Sequence, residues 1–274
     1  MKYLRLDIRL EEEFKEILMA ELAETGFEAF EDGEARLLTA YVQEELFQAA
    51  ATSELLERYR GHIFEIKGPI SVEQQNWNAV WESQYEPVRI DDFCLIRAPF
   101  HPKESGYIHV LTIEPKMSFG TGHHATTTLM VKALRHLPVV GLRVMDMGCG
   151  TGILGILAAR LGASQVYGID IDAWAVENSA ENCERNHVSM ELYQGNALKM
   201  AGTYDVILAN INRNIILEDL PVYAASLETG GRLVCSGFYE ADVDIIRENA
   251  ALNSLNFESQ ANENGWSAVI FVKR

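Results

Sequence analysis

"LRVMDMGCGTGILG", Leu142 to Gly155, changes character half-way along. Its first half, up to Met147, is an apolar run holding one acid, Asp146, and it reads as a buried strand. Three alternating glycines follow, Gly148, Gly150 and Gly152, and then "TGILGILAARLG" reads as a helix. Glycine at a strand-to-helix turn lets the backbone bend tightly and approach a ligand closely. The helix start adds N–H donors that have no partner within the helix. The next strand, "QVYGIDID", ends in Asp170 and Asp172, and Asp170 lies 22 residues after Gly148. A carboxylate there reaches the ribose hydroxyls of a nucleoside lying across the strand ends. A tight turn with no ligand is the bland reading, and the glycine spacing together with the following acid argues against it.

The same residues permit a second chemistry. Gly150, Gly152 and Gly155 in "GTGILG" satisfy the GxGxxG dinucleotide fingerprint, with Asp170 twenty residues after Gly150. Taken alone, that allows a nicotinamide-dependent dehydrogenase. Asp146 argues against it, because an anion near a pyrophosphate loop is unfavourable, whereas it suits a cationic amino-acid portion. The strand "TYDVILANI" also ends in amides and carbonyls rather than in a hydride-transfer pair.

Working outward, strands and helices alternate. "LRVMDMG", "QVYGIDID", "MELYQGN", "TYDVILANI" and "RLVCSGF" read as strands. "TGILGILAARLG", "AWAVENSAENCERN", "NIILEDLPVYAASLETGG" and "EADVDIIRENAALN" read as helices, the third ending at its Gly-Gly. "FESQANENGWSAVIFVKR" is strand, turn, strand. Such alternation predicts an α/β fold, a parallel doubly wound sheet with helices on both faces, and the last hairpin requires one antiparallel strand. Short strands, "FCLIRAPF" and "YIHVLTIEP", precede a polar run, "MSFGTGHHATTTLM" (Met117–Met130), that suits neither a strand nor a helix start.

The N-terminal part has its own pattern. "YLRLDIRL" alternates with period two, and "EEEFKEILMAELAETGF" carries Phe14, Ile17, Leu18 and Leu22 at helical spacing. Strand, Asp-Gly turn and strand follow, then a helix from about Gln43 to Tyr59 and a last strand, "HIFEIKG". This is the order of a small ferredoxin-like α+β domain, and Pro69 is expected to end it after Gly68. The expected domains are therefore 1–68, a connecting segment 69–85, and 86–274. Ser71 and Gln74 start the connecting segment with a helix-capping pattern, and Trp77, Val80 and Trp81 share one helical face, as seam-packing tryptophans would.

With 274 residues, 48% of them hydrophobic, the chain can bury two cores. No apolar run approaches the roughly 18 residues of a membrane span, and the N-terminus turns acidic too soon for a signal peptide. Cys94, Cys149, Cys183 and Cys235 form no CxxC pair, so neither zinc nor a disulfide framework is indicated, and a reducing cytoplasm is the natural setting. A formal net charge of −17 with scattered Lys and Arg disfavours bare nucleic acid and favours a small molecule or a basic protein.

"VMDMGCGTGILGI", "GIDID" and "VILANI", preceded by "FGTGHHATT", resemble the class I S-adenosylmethionine-dependent methyltransferases. More narrowly, they resemble the methyltransferases of large-subunit ribosomal protein L-eleven (L11), the PrmA family. The resemblance is strong from Glu114 to about Asn212 and architectural before residue 70. The family usually has FGTGTHPTT, so His123 and Ala125 depart from its pattern. The resemblance implies a Rossmann-like domain with S-adenosylmethionine as cofactor. It places Thr127, Gly148, Asp170 and Asn210 on that cofactor, with Phe119 as an apolar wall and Asp146 and Gly150 in the same loop. His124 matches the family histidine and is expected to orient the loop, while Asn210 stands beside the transferred methyl. His123 reads as a polar loop residue, and the histidine pair lacks a third metal ligand nearby.

Methyl transfer from a sulfonium is an in-line displacement that needs a neutral nucleophile and alignment. Presenting a lysine neutral at pH 7 costs about 4–5 kcal/mol from its reference pKa near 10.4, and a dry site beside a sulfonium lowers that. The implied activity is methylation of lysine side chains, and of the N-terminal amine, of L11. Three alternatives stay open. A release-factor glutamine methyltransferase would carry Asn-Pro-Pro-Tyr where this chain has "ANIN". An RNA methyltransferase would show a basic face. The third is a non-catalytic S-adenosylmethionine-binding module for ribosome assembly.

Overall fold

The computed structural model describes residues 2–32, 36–73, 85–115 and 122–274. The chain divides into two units, Met1–Tyr85 and Glu86–Arg274.

The first unit runs β1 (Lys2–Leu10), α1 (Lys15–Glu24), β2 (Ala29–Asp32), β3 (Leu37–Gln43), α2 (Ala49–Arg58) and β4 (Ile63–Glu73). Its sheet has the order β2-β3-β1-β4, with every neighbour antiparallel. Leu6, Ile8 and Leu10, alternate residues of β1, meet Leu18 and Leu22 of α1 and Leu55 of α2 in one buried cluster. The helix expected from Gln43 is interrupted. Glu44–Leu46 make a single 3-10 turn, and Phe47 is extended with φ −67° and ψ 119°. Its ring packs edge-on against Phe27 at 6.3 Å, so the chain dips to the core before α2 begins.

Pro69 does not end the last strand. β4 continues to Glu73, with a register shift where Arg5 pairs Ile70 and Asp7 pairs Lys67. Gly68 has φ +121°, and a Cβ there would stand 2.6 Å from the Arg5 carbonyl oxygen. The Gly-Pro pair is accommodated as a bulge on an edge strand, where a missing N–H costs no ladder bond. Residues 69–73 therefore belong to this strand. The rest of the expected connecting helix, with Trp77 and Trp81, lies outside the described residues.

The second unit opens with a small sheet of β5 (Val88–Ile90), β6 (Cys94–Arg97) and β7 (His109–Thr112). Then come α3 (Ala125–His136), β8 (Arg143–Met147), α4 (Ile153–Arg160), β9 (Gln165–Asp170), α5 (Ala173–Arg185), β10 (Glu191–Gln194) and β11 (Tyr204–Asn210). The chain ends with α6 (Arg213–Ser226), β12 (Leu227–Tyr239), α7 (Val243–Leu252), β13 (Leu255–Glu263) and β14 (Trp266–Lys273). The main sheet has the order β10-β9-β8-β11-β12-β14-β13, parallel except for β14, which runs antiparallel to both neighbours. This is the expected doubly wound sheet with its antiparallel strand. Val144, Val206, Leu208 and Val234 face one apolar cluster, while Met145, Ile207, Ala209 and Leu233 face the other. A sheet buried on both faces explains why its strands read as continuous apolar runs.

One helix end differs from expectation. α6 stops at Ser226, ahead of Gly230 and Gly231, and the glycines lie in an irregular stretch of β12 between the Tyr204–Leu227 and Val206–Arg232 pairs. A Cβ at Gly231 would stand 2.8 Å from the Glu228 carbonyl and 3.0 Å from that of Asp205, so glycine answers to a bulge there and not to a helix cap. Among the described residues no helix is long and apolar enough to cross a membrane.

Candidate functional site

β8, β9 and β11 end at the same edge of the sheet, and their last residues, with the loops that follow, bring most of the expected residues together. Gly148, Gly150 and Gly152 all have positive φ, +64°, +54° and +78°. The loop folds back on β9, where Gly148 and Cys149 both donate N–H to the Ile169 carbonyl. Gly150 N–H donates to Asp170 Oδ2 at 2.8 Å, and Asp172 N–H donates to Asp170 Oδ1 at 3.1 Å. The half-buried Asp170 carboxylate is thus oriented by two backbone donors at the strand tip. Beside it Ile171 is 70% exposed, an apolar side chain left in water at the rim of a polar turn. Sequence reading passed over Ile171, although an apolar residue between two acids is a legible signal.

Gly148 has a second reason to be glycine. A Cβ there would stand 2.3 Å from Cγ2 of Ile211. On its other side Ile211 is pressed by Gly237 of β12, whose Cβ would stand 2.1 Å from the Ile211 carbonyl oxygen. Ile211 N–H also donates to Ser236 O. The residue following Asn210 is therefore clamped between two glycines, one of which was expected only as a ligand cradle.

Asp146, expected as an anion suited to a cationic amino-acid portion, lies inside the core. It is 1% exposed, and its Oδ2 accepts the Gly155 N–H at 2.9 Å. Burial, and secondarily the nearby Asp170, push its pKa up to about 8 against the lowering effect of the Gly155 bond. Its Oδ1 is buried with no partner among the described residues. The carboxyl is thus mainly neutral at pH 7 and becomes an anion once a cation meets it.

The second wall comes from α3. His124 caps this helix, its Nδ1 accepting the Thr126 N–H at 3.3 Å and lying 2.8 Å from the Thr126 hydroxyl. Its ring meets Trp266 edge-on at 4.5 Å, and Trp266 lies against Tyr239 at 4.2 Å. His124 therefore holds the first turn of the helix. His123 turns elsewhere, with Nε2 at 2.7 Å from the Glu86 carbonyl. Thr127, 2% exposed, takes a bond from Asn210 Nδ2 at 3.4 Å. Asn210 Oδ1 is buried with no partner among the described residues. Two residues on, Asn212 caps α6 by accepting the Ile215 N–H. Phe119 lies outside the described residues. Among those described, no cluster of three or more His, Cys, Asp or Glu could hold a metal ion.

The sequence profile of the family described as ribosomal protein L11 methyltransferase (PrmA) matches residues 7–274. The chain belongs to the ribosomal protein L11 methyltransferase family. A family member from Porphyromonas gingivalis is 44% identical over 263 residues, covering 94% of this chain and 90% of the relative. Another, from Phocaeicola vulgatus, is 39% identical over the whole of both chains. The crystal structure of a ribosomal protein L11 methylase from Lactobacillus delbrueckii subsp. bulgaricus superposes with a TM-score of 0.64 at 25% identity, covering 69% of this chain and 99% of that one. A methyltransferase from Pyrococcus furiosus shares the fold, with a TM-score of 0.51 at 20% identity over 60% of this chain and 89% of that one.

The site's chemistry fits the methyl donor of such an enzyme, S-adenosylmethionine, which has an amino-acid end, a ribose and an adenine. Asp146 Oδ1 and Asn210 Oδ1 are buried acceptors without partners among the described residues. Asp170 is a fixed carboxylate at the strand tip, and Ile171 is an apolar surface beside it.

Proposed function

We propose that this chain transfers methyl groups from S-adenosylmethionine to lysine side-chain amines, and to the N-terminal amine, of ribosomal protein L11. The observation that carries this reading is the Asn210–Thr127 pair at the strand edge, with the Asn210 carbonyl oxygen buried and unpartnered among the described residues. S-adenosylmethionine, when bound, supplies an electrophilic methyl on a sulfonium. Asp170 would accept its ribose hydroxyls, Ile171 would offer the adenine an apolar surface, and Asp146 would pair with the ammonium of its methionyl end. Thr127, Gly148 and Gly150 complete the described walls.

A neutral amine presents two N–H groups and one lone pair. Asn210 Oδ1 accepts one N–H and turns the lone pair toward the methyl, while Thr127 fixes the rotation of the Asn210 amide. Aligning the pair supplies the rate, since a displacement of this kind needs no separate base while the amine arrives neutral. The N-terminal unit, built on its own core, holds the protein substrate. An acidic chain, with net charge −17, attracts a basic ribosomal protein. Four buried thiols with no disulfide and a ribosomal substrate belong to a cytoplasmic enzyme.

The test is incubation with labelled S-adenosylmethionine and a total ribosomal extract. One labelled protein at the size of L11 supports the reading. Labelled RNA, or a bound but untransferred cofactor, overturns it.

A further inference from the structure

Helix α5 carries a polar stripe through the core of the second unit. Asn178, Ser179 and Asn182 are 0% exposed and Asn186 is 2% exposed. Buried amides are costly unless bonded, and an apolar stripe would pack the same space at less cost. Three of them bond backbone atoms of two segments outside the helix, the glycine loop and the end of β7. On one side, Ser179 Oγ donates to Gly150 O at 2.8 Å and lies 3.5 Å from Cys149 Sγ, and Asn182 Nδ2 donates to Thr151 O at 3.0 Å. On the other side, Asn182 Oδ1 accepts the Glu114 N–H at 2.9 Å. Asn186 accepts the Thr112 N–H at 2.9 Å and donates to Thr112 O at 2.7 Å.

Asn182 is thus a strut whose two ends touch the glycine loop and the end of the β7 segment. From Glu114 the chain goes on to the segment that supplies His124 and Thr127. The glycine loop holds the cofactor in the reading given above, on which the inference rests. We propose that Asn182 is a positioning residue that sets the spacing between the two walls of the cofactor site, so that occupancy of the glycine loop is transmitted to Glu114. Asn186 secures the far end by gripping both backbone polar atoms of Thr112. A carboxamide suits the task because it offers one donor and one acceptor in a rigid plane.

The test uses the full chain titrated with S-adenosylmethionine, followed by amide NMR and calorimetry. In the unaltered chain the Gly150 and Glu114 resonances move together. In Asn182→Ala the Gly150 resonance still moves, the Glu114 resonance does not, and the dissociation constant rises about tenfold, the worth of one buried hydrogen bond. KM for the cofactor rises by the same factor while kcat changes less. Asn182→Asp keeps the acceptor for Glu114 and loses the donor to Thr151, so it also uncouples the two resonances, and it serves if the alanine variant does not fold. Ala250→Gly, at a buried position of helix α7, is a control that lowers Tm without altering affinity or coupling. An Asn182 variant that is merely less stable, with Glu114 still responding and affinity unchanged, overturns the proposal. Failure of the unaltered chain to bind S-adenosylmethionine would instead overturn the underlying reading of the site.

Discussion

Asn210 donates its side-chain N–H to the Thr127 hydroxyl at 3.4 Å, joining the tip of β11 to the first turn of α3 across 83 residues of sequence. The bond is longer than the usual range of about 2.7–3.2 Å, and the other end of the amide has no partner among the described residues. Asn210→Ala is expected to lower kcat by about 10²-fold, the cost of a misaligned reacting pair, with cofactor affinity changed only a few-fold. Thr127→Val should reproduce part of that loss and Thr127→Ser little of it. Steady-state kinetics on L11 checks the split, and a pure KM effect would move Asn210 from the amine to the cofactor.

Asp170 should act on binding. Asp170→Ala is expected to weaken S-adenosylmethionine binding by about 1.5–3 kcal/mol per lost charged hydrogen bond, read by calorimetric titration. Because Asp170 also holds the Gly150 N–H, the glycine loop should loosen as well, seen as faster amide exchange at Gly150. An unchanged dissociation constant in a folded variant removes Asp170 from the site.

Asp146 gives a pH signature. Its folded-state pKa is raised to about 8 from an ordinary 3.8, so the folded state holds a proton that the unfolded chain releases. The stabilisation from that proton is fully present below pH 4 and is lost as pH rises toward 8, at up to about 1.4 kcal/mol per pH unit. Asp146→Asn should flatten this slope in denaturant titrations between pH 4 and 8. Pairing with a ligand ammonium ionises the group, so cofactor binding at pH 7 should release a proton, giving a heat that depends on the buffer. Equal binding heats in phosphate and Tris would count against the pairing.

Ile211 sits between Gly148 and Gly237, so overfilling Gly148 should strain its side chain and overfilling Gly237 its backbone. Gly148→Ala places a Cβ 2.3 Å from Ile211 Cγ2 at φ +64°, and the expected cost is about 1–3 kcal/mol of stability. Adding Ile211→Ala should recover part of it, a coupling that independent sites would not give. Thermal unfolding of the single and double variants decides; additive losses would show that φ alone disfavours alanine.

On the proposed function, the N-terminal unit delivers the protein substrate. A chain beginning at Glu86 keeps both apolar clusters of the second unit and should bind S-adenosylmethionine as the full chain does. Its methylation of L11 should fall by orders of magnitude, because the amine is no longer docked. Starting at Ser71 instead would leave a fragment of β4 without β1 beside it. Full-rate methylation by the shorter chain would free the N-terminal unit for another role.

The glycine turn, the acid at the end of the following strand, the doubly wound sheet and the antiparallel hairpin were all legible in the sequence. Each is a local pattern: a period, a breaker, or an acid at a fixed distance. Asp170 stands where its spacing from Gly148 placed it. Breakers alone misled where tertiary context absorbs them, as when Gly68–Pro69 becomes an edge-strand bulge and Gly230–Gly231 an irregularity in β12. The tertiary structure alone decided that Gly148 makes room for Ile211, that Asp146 is buried and mostly neutral, and that Asn182 spans two segments. The reason is physical: a residue type states which bonds it can make, but burial and the nearness of Thr151 to Glu114 arise only when distant strands and helices pack. Desolvation and close contact, not sequence spacing, then set each group's charge and partner.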